Sequence, residues 1–467
     1  MGSLSSLAAD TLDPLSPNVN GPRETGRPMM VLTMGCRVNQ FESALLEEGG
    51  SARGYRLAHT GEQAELVVIN TCSVTGESDR QARQLIRKAG RDHPGARIVV
   101  TGCYAQNAPE QAAALPGVDL VLGNGEKGQL WEWLDQLPGA DGEHGHIRVG
   151  DVNDLTRVPE RGLVDRFGER ARAFLQVQDG CDRSCSYCVI PRLRGPSRSV
   201  LPERVVEQAR RFLDAGYREL VVTGINLGAY GRDLPGDPSL ATLARQLLEI
   251  STGWRLRISS LDPLDIDAGL VALLADCERI CPHLHLSIQS GDDDVRRRMG
   301  RGRGRDAVLE RIARVRTARP DLVLGADFIV GFPGESAAAF ERSLELTTEA
   351  ELALLHVFPY SVRSDTLAAS WSQTLQVPGE TIRARAARLR QAGLNQLEQV
   401  LRTRVGGREE LLVESLESGR AVGKSAGFLP MRLVDAGREE WRGALVPVEV
   451  QGVDLQDHCL LATCRWQ

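Results

Sequence analysis

The segment Gly180-Cys181-Asp182-Arg183-Ser184-Cys185-Ser186-Tyr187-Cys188 sets three thiols at spacings of four and three. Thiolates so spaced can face one iron–sulfur cluster from a single loop. Three protein ligands on a four-iron cluster leave one iron open to a small molecule. A zinc site is the plainer alternative, but structural zinc wants four ligands, often as paired cysteines, and no fourth candidate lies nearby. Three unrelated buried cysteines are a further reading. A second set, Cys36, Cys72 and Cys103, is spread along the chain, and each member directly follows a candidate strand. If those strands are parallel, their carboxyl ends share one edge and the three thiols can converge there. Otherwise they are small buried hydrophobes in apolar turns.

Positioning these residues requires parallel α/β architecture. Candidate strands Met29–Met34, Glu65–Asn70, Arg97–Thr101 and Val118–Leu122 alternate with helix-like stretches at Phe41–Gly54, Gly76–Asp92 and Pro109–Leu115. That order predicts a parallel sheet over residues 29–134. Residues 135–172 carry Gly, Pro and charge with little periodicity and are expected to be a linker. A second βα series fills 173–400, with strands at Ala173–Asp179, Arg218–Thr223, Arg255–Ser259, His283–Ile288, Leu322–Val330 and Ala353–Pro359. Six units are too few for an eight-stranded barrel, so an open partial barrel is expected. One long Arg-rich helix is predicted over 378–404. Short apolar runs in the tail predict a small all-β domain over 401–467.

Composition sets the limits. The 467 residues suffice for two to four domains. With 42% hydrophobic and 25% charged residues the chain reads as an ordinary globular protein. No apolar run approaches the ~18 residues of a membrane span. Residues 1–28 are expected to be a disordered arm without a secretory core. The 10 cysteines, unaccompanied by a secretion signal, point to metal or redox chemistry in the cytoplasm rather than to disulfides. The net charge of −6 gives no global sign of nucleic-acid binding, although a local basic face could still meet RNA.

The cysteine loop, lying just after a strand, resembles that of the radical S-adenosylmethionine (SAM) superfamily, whose loop follows the first strand of a partial (β/α) barrel. The resemblance implies that the open iron chelates SAM and that reduction releases a 5′-deoxyadenosyl radical. Later strand ends carry Gly224 and Asn226 in Thr-Gly-Ile-Asn, and Gln289 and Ser290 in Ile-Gln-Ser-Gly. These four are the candidate SAM-binding residues; each could equally be part of a turn. The whole chain from about residue 29 is similar to the methylthiotransferases. In them a three-cysteine α/β domain precedes a radical SAM (β/α)6 partial barrel and a small β-barrel TRAM domain that contacts RNA. Gly35-Cys36-Arg37-Val38-Asn39, Ile69-Asn70-Thr71-Cys72-Ser73-Val74-Thr75 and Thr101-Gly102-Cys103 carry that likeness. The string after Cys36 looks most like the MtaB-type enzymes.

The likeness implies two [4Fe-4S] clusters. One, on Cys181, Cys185 and Cys188, would make the radical; an auxiliary one, on Cys36, Cys72 and Cys103, would hold the sulfur to be inserted. SAM would serve both as radical source and as methyl donor. The implied substrate is N6-threonylcarbamoyladenosine at position 37 of tRNA, methylthiolated at C2. Sister groups act on N6-isopentenyladenosine in tRNA or on a ribosomal-protein aspartate. An electron donor and a sulfur source are also implied, with no identity given. No catalytic residue beyond the ligands is assigned. A rival class, an iron–sulfur electron carrier or RNA-binding scaffold, would normally complete each cluster with four protein ligands.

Arg192, Arg194 and Arg198 follow the loop, and Arg296, Arg297, Arg298, Arg301, Arg303 and Arg305 form a dense run. They could grip tRNA phosphates, or sit as a solvated helix end facing Asp292–Asp294. Gly123-Asn124-Gly125-Glu126-Lys127-Gly128 fits GxGxxG but lacks the following βαβ unit and acidic residue, and reads as a turn. Cys277, Cys281, Cys459 and Cys464 read as core or idle thiols.

Overall fold

The computed structural model describes residues 25–137, 144–159, 162–168, 170–371 and 375–465. Most of the expected N-terminal arm lies outside the described residues. The chain forms two compact units. The first holds residues up to 169 together with 178–183 and 188–200, and the second holds 170–177, 184–187 and 201–467.

The first unit is built on a six-stranded, all-parallel sheet of order β2-β1-β3-β4-β5-β6. Its strands are β1 (Arg27–Thr33), β2 (Tyr55–Leu57), β3 (Leu66–Thr71), β4 (Arg97–Gly102), β5 (Val118–Leu122) and β6 (His146–Arg148). Every residue of β3 is buried, as expected of a central parallel strand covered on both faces. Alternation divides its side chains. Val67 and Ile69 pack under Ala82, Ile86 and Ala89 of the helix Gly76–Asp92. Leu66 and Val68 meet Leu130, Trp131 and Leu134 on the other face. Thr75 caps the helix Gly76–Asp92 by accepting from Ser78 N–H.

Two strands of this sheet are not expected from the sequence. β2 and β6 have three residues each, too short for a period of two to register. β6 falls inside the stretch expected to be a linker, and pairs in parallel with β5.

The second unit opens with the partial barrel. Its strands are β7 (Ala173–Gln176), β8 (Glu219–Thr223), β9 (Arg255–Ile258), β10 (Ser260–Leu261), β11 (His283–Gln289), β12 (Val323–Val330) and β13 (Leu352–Pro359). All pairings are parallel, in the order β7-β8-β9 and then β10-β11-β12-β13. β9 and β10 are one strand broken at Ser259, so the six expected βα units are present. Leu284, Leu286 and Ile288 of β11 are fully buried on one side; His283, His285 and Ser287 therefore share the other.

The tail is a closed five-stranded barrel of β14 (Arg408–Glu417), β15 (Arg420–Lys424), β16 (Pro430–Leu433), β17 (Leu445–Asp454) and β18 (Cys459–Cys464), ordered β14-β15-β16-β18-β17. Closure removes the exposed edges an open sheet would present. The preceding helix, Gly379–Thr403, lends Leu397 and Leu401 to this barrel's core, which also takes in Val323 and Ala353 of the larger barrel.

A buried carboxylate joins the two barrels. Glu219 of β8 receives Arg172 at 2.9 Å, Arg255 at 2.7 Å and Arg257 at 2.8 Å. Arg255 also donates to the carbonyl of Glu410, and Arg257 to that of Ala426. Phe428, from the turn between β15 and β16, stacks on His283 with ring centroids 5.1 Å apart. Burial opposes the Glu219 charge, but Arg257, Arg255 and Arg172 outweigh it and hold the carboxyl well below the usual range. Its stabilisation is therefore complete above the unfolded-state value of about 4.3 and declines as pH falls below it. Glu219→Gln is expected to cost about 3–5 kcal/mol at neutral pH. In thermal unfolding scans, the gap between wild type and variant should narrow steadily below about pH 4.

Candidate metal centres

Cys36 ends the turn after β1 and caps the helix Arg37–Ser51; Cys72 follows β3; Cys103 follows β4. Those three strands are neighbours in the sheet, so parallel pairing brings residues 36 and 31 positions apart to one edge. Gly35 shows how close they lie. Its φ is +89°, and a Cβ there would fall 2.7 Å from the Cys72 Cβ and 2.8 Å from its Sγ. Only glycine accepts that backbone and that neighbour.

The thiols feel one another. Burial, then the charge of Cys103, and further down Cys36, push the Cys72 thiol up to about 12. Three thiolates this close are costly without a cation among them, and a metal group supplies it. As a donor set, three thiols at one sheet edge are of the kind an iron–sulfur cluster takes.

Below the triad lies a set of buried charges within the same unit. Arg194 is fully buried and bonds Asp179 at 2.8 Å, Glu42 at 3.1 and 3.2 Å, and the Asn39 side-chain oxygen. Lys127 joins Glu42, and reaches the Asn70 oxygen at 3.1 Å. Arg198 meets Asp179 at 3.4 Å. Burial works against the Arg194 charge, but Asp179, Glu42 and then the thiols of Cys103 and Cys36 hold it firmly protonated. Asn124 donates to the Leu193 carbonyl at 2.7 Å and lies 4.0 Å from the Cys103 sulfur.

Sequence assigns no site role to Asn39, Asn70 or Lys127, which only appear within motifs, nor to Glu42 or Asp179. Asn39 and Glu42, three apart on a helix, share a face, a spacing that could have marked them. Lys127 and Asn124 sit in the Gly-rich stretch read as a turn; the turn is there, and its side chains serve the triad.

The other three cysteines lie on the loop after Gln178–Asp179 and are half-buried. Gly180, φ +73°, starts it; a Cβ there would sit 1.9 Å from the Pro196 carbonyl oxygen. Cys181 accepts from Arg183 N–H at 3.4 Å. Ser186 is fixed by its N–H to the Met299 carbonyl at 3.1 Å and its hydroxyl to the Arg298 carbonyl at 2.7 Å. Arg301 donates to the Tyr187 hydroxyl at 2.7 and 3.0 Å and to Asp262 at 2.8 Å. The Arg301 guanidinium also lies within electrostatic range of Cys185.

Gly224 and Asn226 follow β8, while Gln289 ends β11 and Ser290 follows it. Gln289 and Ser290 are buried, and Gln289 holds φ +71° at the strand end.

The arginines divide. Arg194, Arg198, Arg296 and Arg301 are buried: Arg296 donates to the Ile288 and Arg303 carbonyls, and Arg305 pairs with Glu349. Such side chains hold the fold, which corrects the expectation that these could grip phosphate. Arg192, Arg297 and Arg303 are exposed. Cys281 and Cys459 are buried, in keeping with core thiols.

A family model described as the Radical SAM superfamily matches residues 175–347, and one described as Uncharacterized protein family UPF0004 matches residues 28–123. The threonylcarbamoyladenosine tRNA methylthiotransferase MtaB of Rickettsia prowazekii is 39% identical over 86% of this chain and 90% of its own length. The protein of the same name from Bacillus subtilis is 35% identical over 90% and 92%. The tRNA-2-methylthio-N(6)-dimethylallyladenosine synthase of Cereibacter sphaeroides is 34% identical over 91% and 96%. Among solved structures, the radical SAM methyltransferase TsrM of Kitasatospora setae, with cobalamin and a [4Fe-4S] cluster, superposes with a TM-score of 0.53. It is 14% identical over 74% of this chain and 77% of its own, a likeness of fold alone.

Arg194→Met leaves Glu42 and Asp179 buried with less compensation. Loss of one partner from such a set costs about 3–5 kcal/mol, so the chemical denaturation midpoint of the first unit should fall clearly. An unchanged midpoint would contradict the charge balance described.

Proposed function

Since the chain belongs to the radical SAM methylthiotransferase family, in its MtaB-type group, we propose that it methylthiolates C2 of N6-threonylcarbamoyladenosine at position 37 of tRNA. The observation that carries this reading is the presence of two separate three-cysteine sets, one at a parallel sheet edge and one on the barrel's first loop. An electron carrier would close each cluster with four protein ligands. Cofactor chemistry of the family, SAM with a [4Fe-4S] cluster, is expected on Cys181, Cys185 and Cys188. The assignment of an auxiliary cluster to Cys36, Cys72 and Cys103 is part of the proposal.

When bound, the first cluster and SAM supply a carbon radical for hydrogen removal, and the second supplies sulfur. The chain's own residues do the rest. Gly35 and Gly180 let the backbone turn tightly enough to present the thiols. Arg194 lays fixed positive charge near Cys103 and Cys36, and Arg301 near Cys185. Gly224 offers backbone without a side chain, and Asn226, Gln289 and Ser290 offer polar groups to cradle SAM at the strand ends, where α/β barrels gather ligands. The C-terminal β-barrel and the exposed Arg192, Arg297 and Arg303 are candidates for contact with tRNA. An electron donor and a sulfur source complete the set of partners. Among the described residues no helix is long and apolar enough to cross a membrane.

The substrate is tested by mass spectrometry of tRNA nucleosides from a strain lacking this chain. Loss of 2-methylthio-N6-threonylcarbamoyladenosine is expected. Loss of the methylthio-isopentenyl product instead would move the chain to the sister group.

The division between the two cysteine sets is tested with Cys36→Ala. After anaerobic reconstitution, iron should drop from about eight to about four per chain. SAM cleavage to 5′-deoxyadenosine should persist while methylthiolation is lost. Cys185→Ala should abolish both. Full methylthiolation by Cys36→Ala would overturn the auxiliary role.

A further inference from the structure

Three adjacent barrel strands bring together two imidazoles and a carboxylate. His285 of β11 places Nε2 2.8 Å from the Asp327 Oδ1 of β12, and His356 of β13 places Nδ1 3.2 Å from the same oxygen. The ligand atoms of all three lie within 4.8 Å of one another. The two imidazole rings are 4.4 Å apart, tilted by 34°.

We propose that His285, Asp327 and His356 bind one divalent transition-metal ion, best matched by Zn2+, with open positions toward the barrel interior. Two imidazoles and one carboxylate are the protein donors of several zinc sites that keep a position for water or substrate. Bonds of about 2.0–2.1 Å place neighbouring donors roughly 3–3.5 Å apart; the Asp327 oxygen lies 3.2 Å from His356 Nδ1, and the 2.8 Å to His285 Nε2 needs only a small opening to admit an ion.

Strand register fixes the set. Asp327 pairs directly with His356, and His285 pairs with Gly325. A Cβ at Gly325 would fall 2.5 Å from the His285 Nδ1, so glycine leaves that imidazole the room it occupies. Leu355 packs against Gly393 of the long helix, which turns His356 to the opposite face, the barrel interior. His285 is buried, whereas the His356 side chain is 49% exposed, leaving an approach for the ion and for an exchangeable water or carboxylate oxygen.

The test uses the full chain with its cysteine sites reconstituted anaerobically, given equimolar Zn2+ and then desalted. Elemental analysis should find about one zinc per chain. X-ray absorption at the zinc edge should show only nitrogen and oxygen neighbours, at about 2.0–2.1 Å. His356→Ala, on a half-exposed side chain, should weaken zinc retention at least about a hundredfold, since loss of outer-shell partners alone costs 10–100-fold. Iron and sulfide content should be unchanged in that variant. Zinc lost on desalting, zinc held equally by His356→Ala, or sulfur neighbours near 2.3 Å would each mean an adventitious ion only and overturn the proposal.

Discussion

A guanidinium sealed from water has to be matched by carboxylates, and the first unit is organised around one such match. Arg194 leaves the cysteine loop's trailing segment and enters the protein to meet Glu42 of the first helix and Asp179 just before Cys181. Lys127 and Arg198 add charge to the same two carboxylates. Three cations against two acids leave an excess of positive charge, and Cys103 and Cys36 lie within reach of Arg194. The desolvation cost of these groups is large, and it is offset only when every partner is in place. That all-or-none condition fixes residues 178–183 and 188–200 to the N-terminal sheet.

The second unit uses the same device elsewhere. Glu219, at the start of β8, gathers three arginines whose remaining donors reach carbonyls of the small C-terminal barrel. The tail therefore packs as part of the partial barrel's foundation, with Phe428 against His283. Strand ends above are left to loops, and loops on a rigid scaffold are where chemistry is placed.

Parallel architecture explains why so much of the chemistry could be anticipated. In parallel sheets all carboxyl ends share an edge, so a residue just after a strand is already assigned a location. Cys36, Cys72, Cys103 and Gly224 are all of this kind, Gln289 stands at a strand's last position, and the strands before Cys72 and Cys103 are buried, largely apolar runs. In the N-terminal sheet the strands without a sequence signal, Tyr55–Leu57 and His146–Arg148, are edge strands of three residues with no such run.

What the sequence alone determined was therefore local or periodic. The spacing of Cys181, Cys185 and Cys188, the six βα units, the long helix and the β-rich tail all leave a signature within a short window. What only the tertiary structure decided was the pairing of charges and polar groups far apart in the chain. Glu42 with Arg194 spans 152 positions and His285 with Asp327 spans 42. No short-range pattern encodes such partners. Arg194, Arg198, Arg296 and Arg301 look in sequence like any surface arginine able to grip a phosphate. Whether each faces water or a buried carboxylate depends on which strand or helix folds over it, and that is a property of packing rather than of spacing.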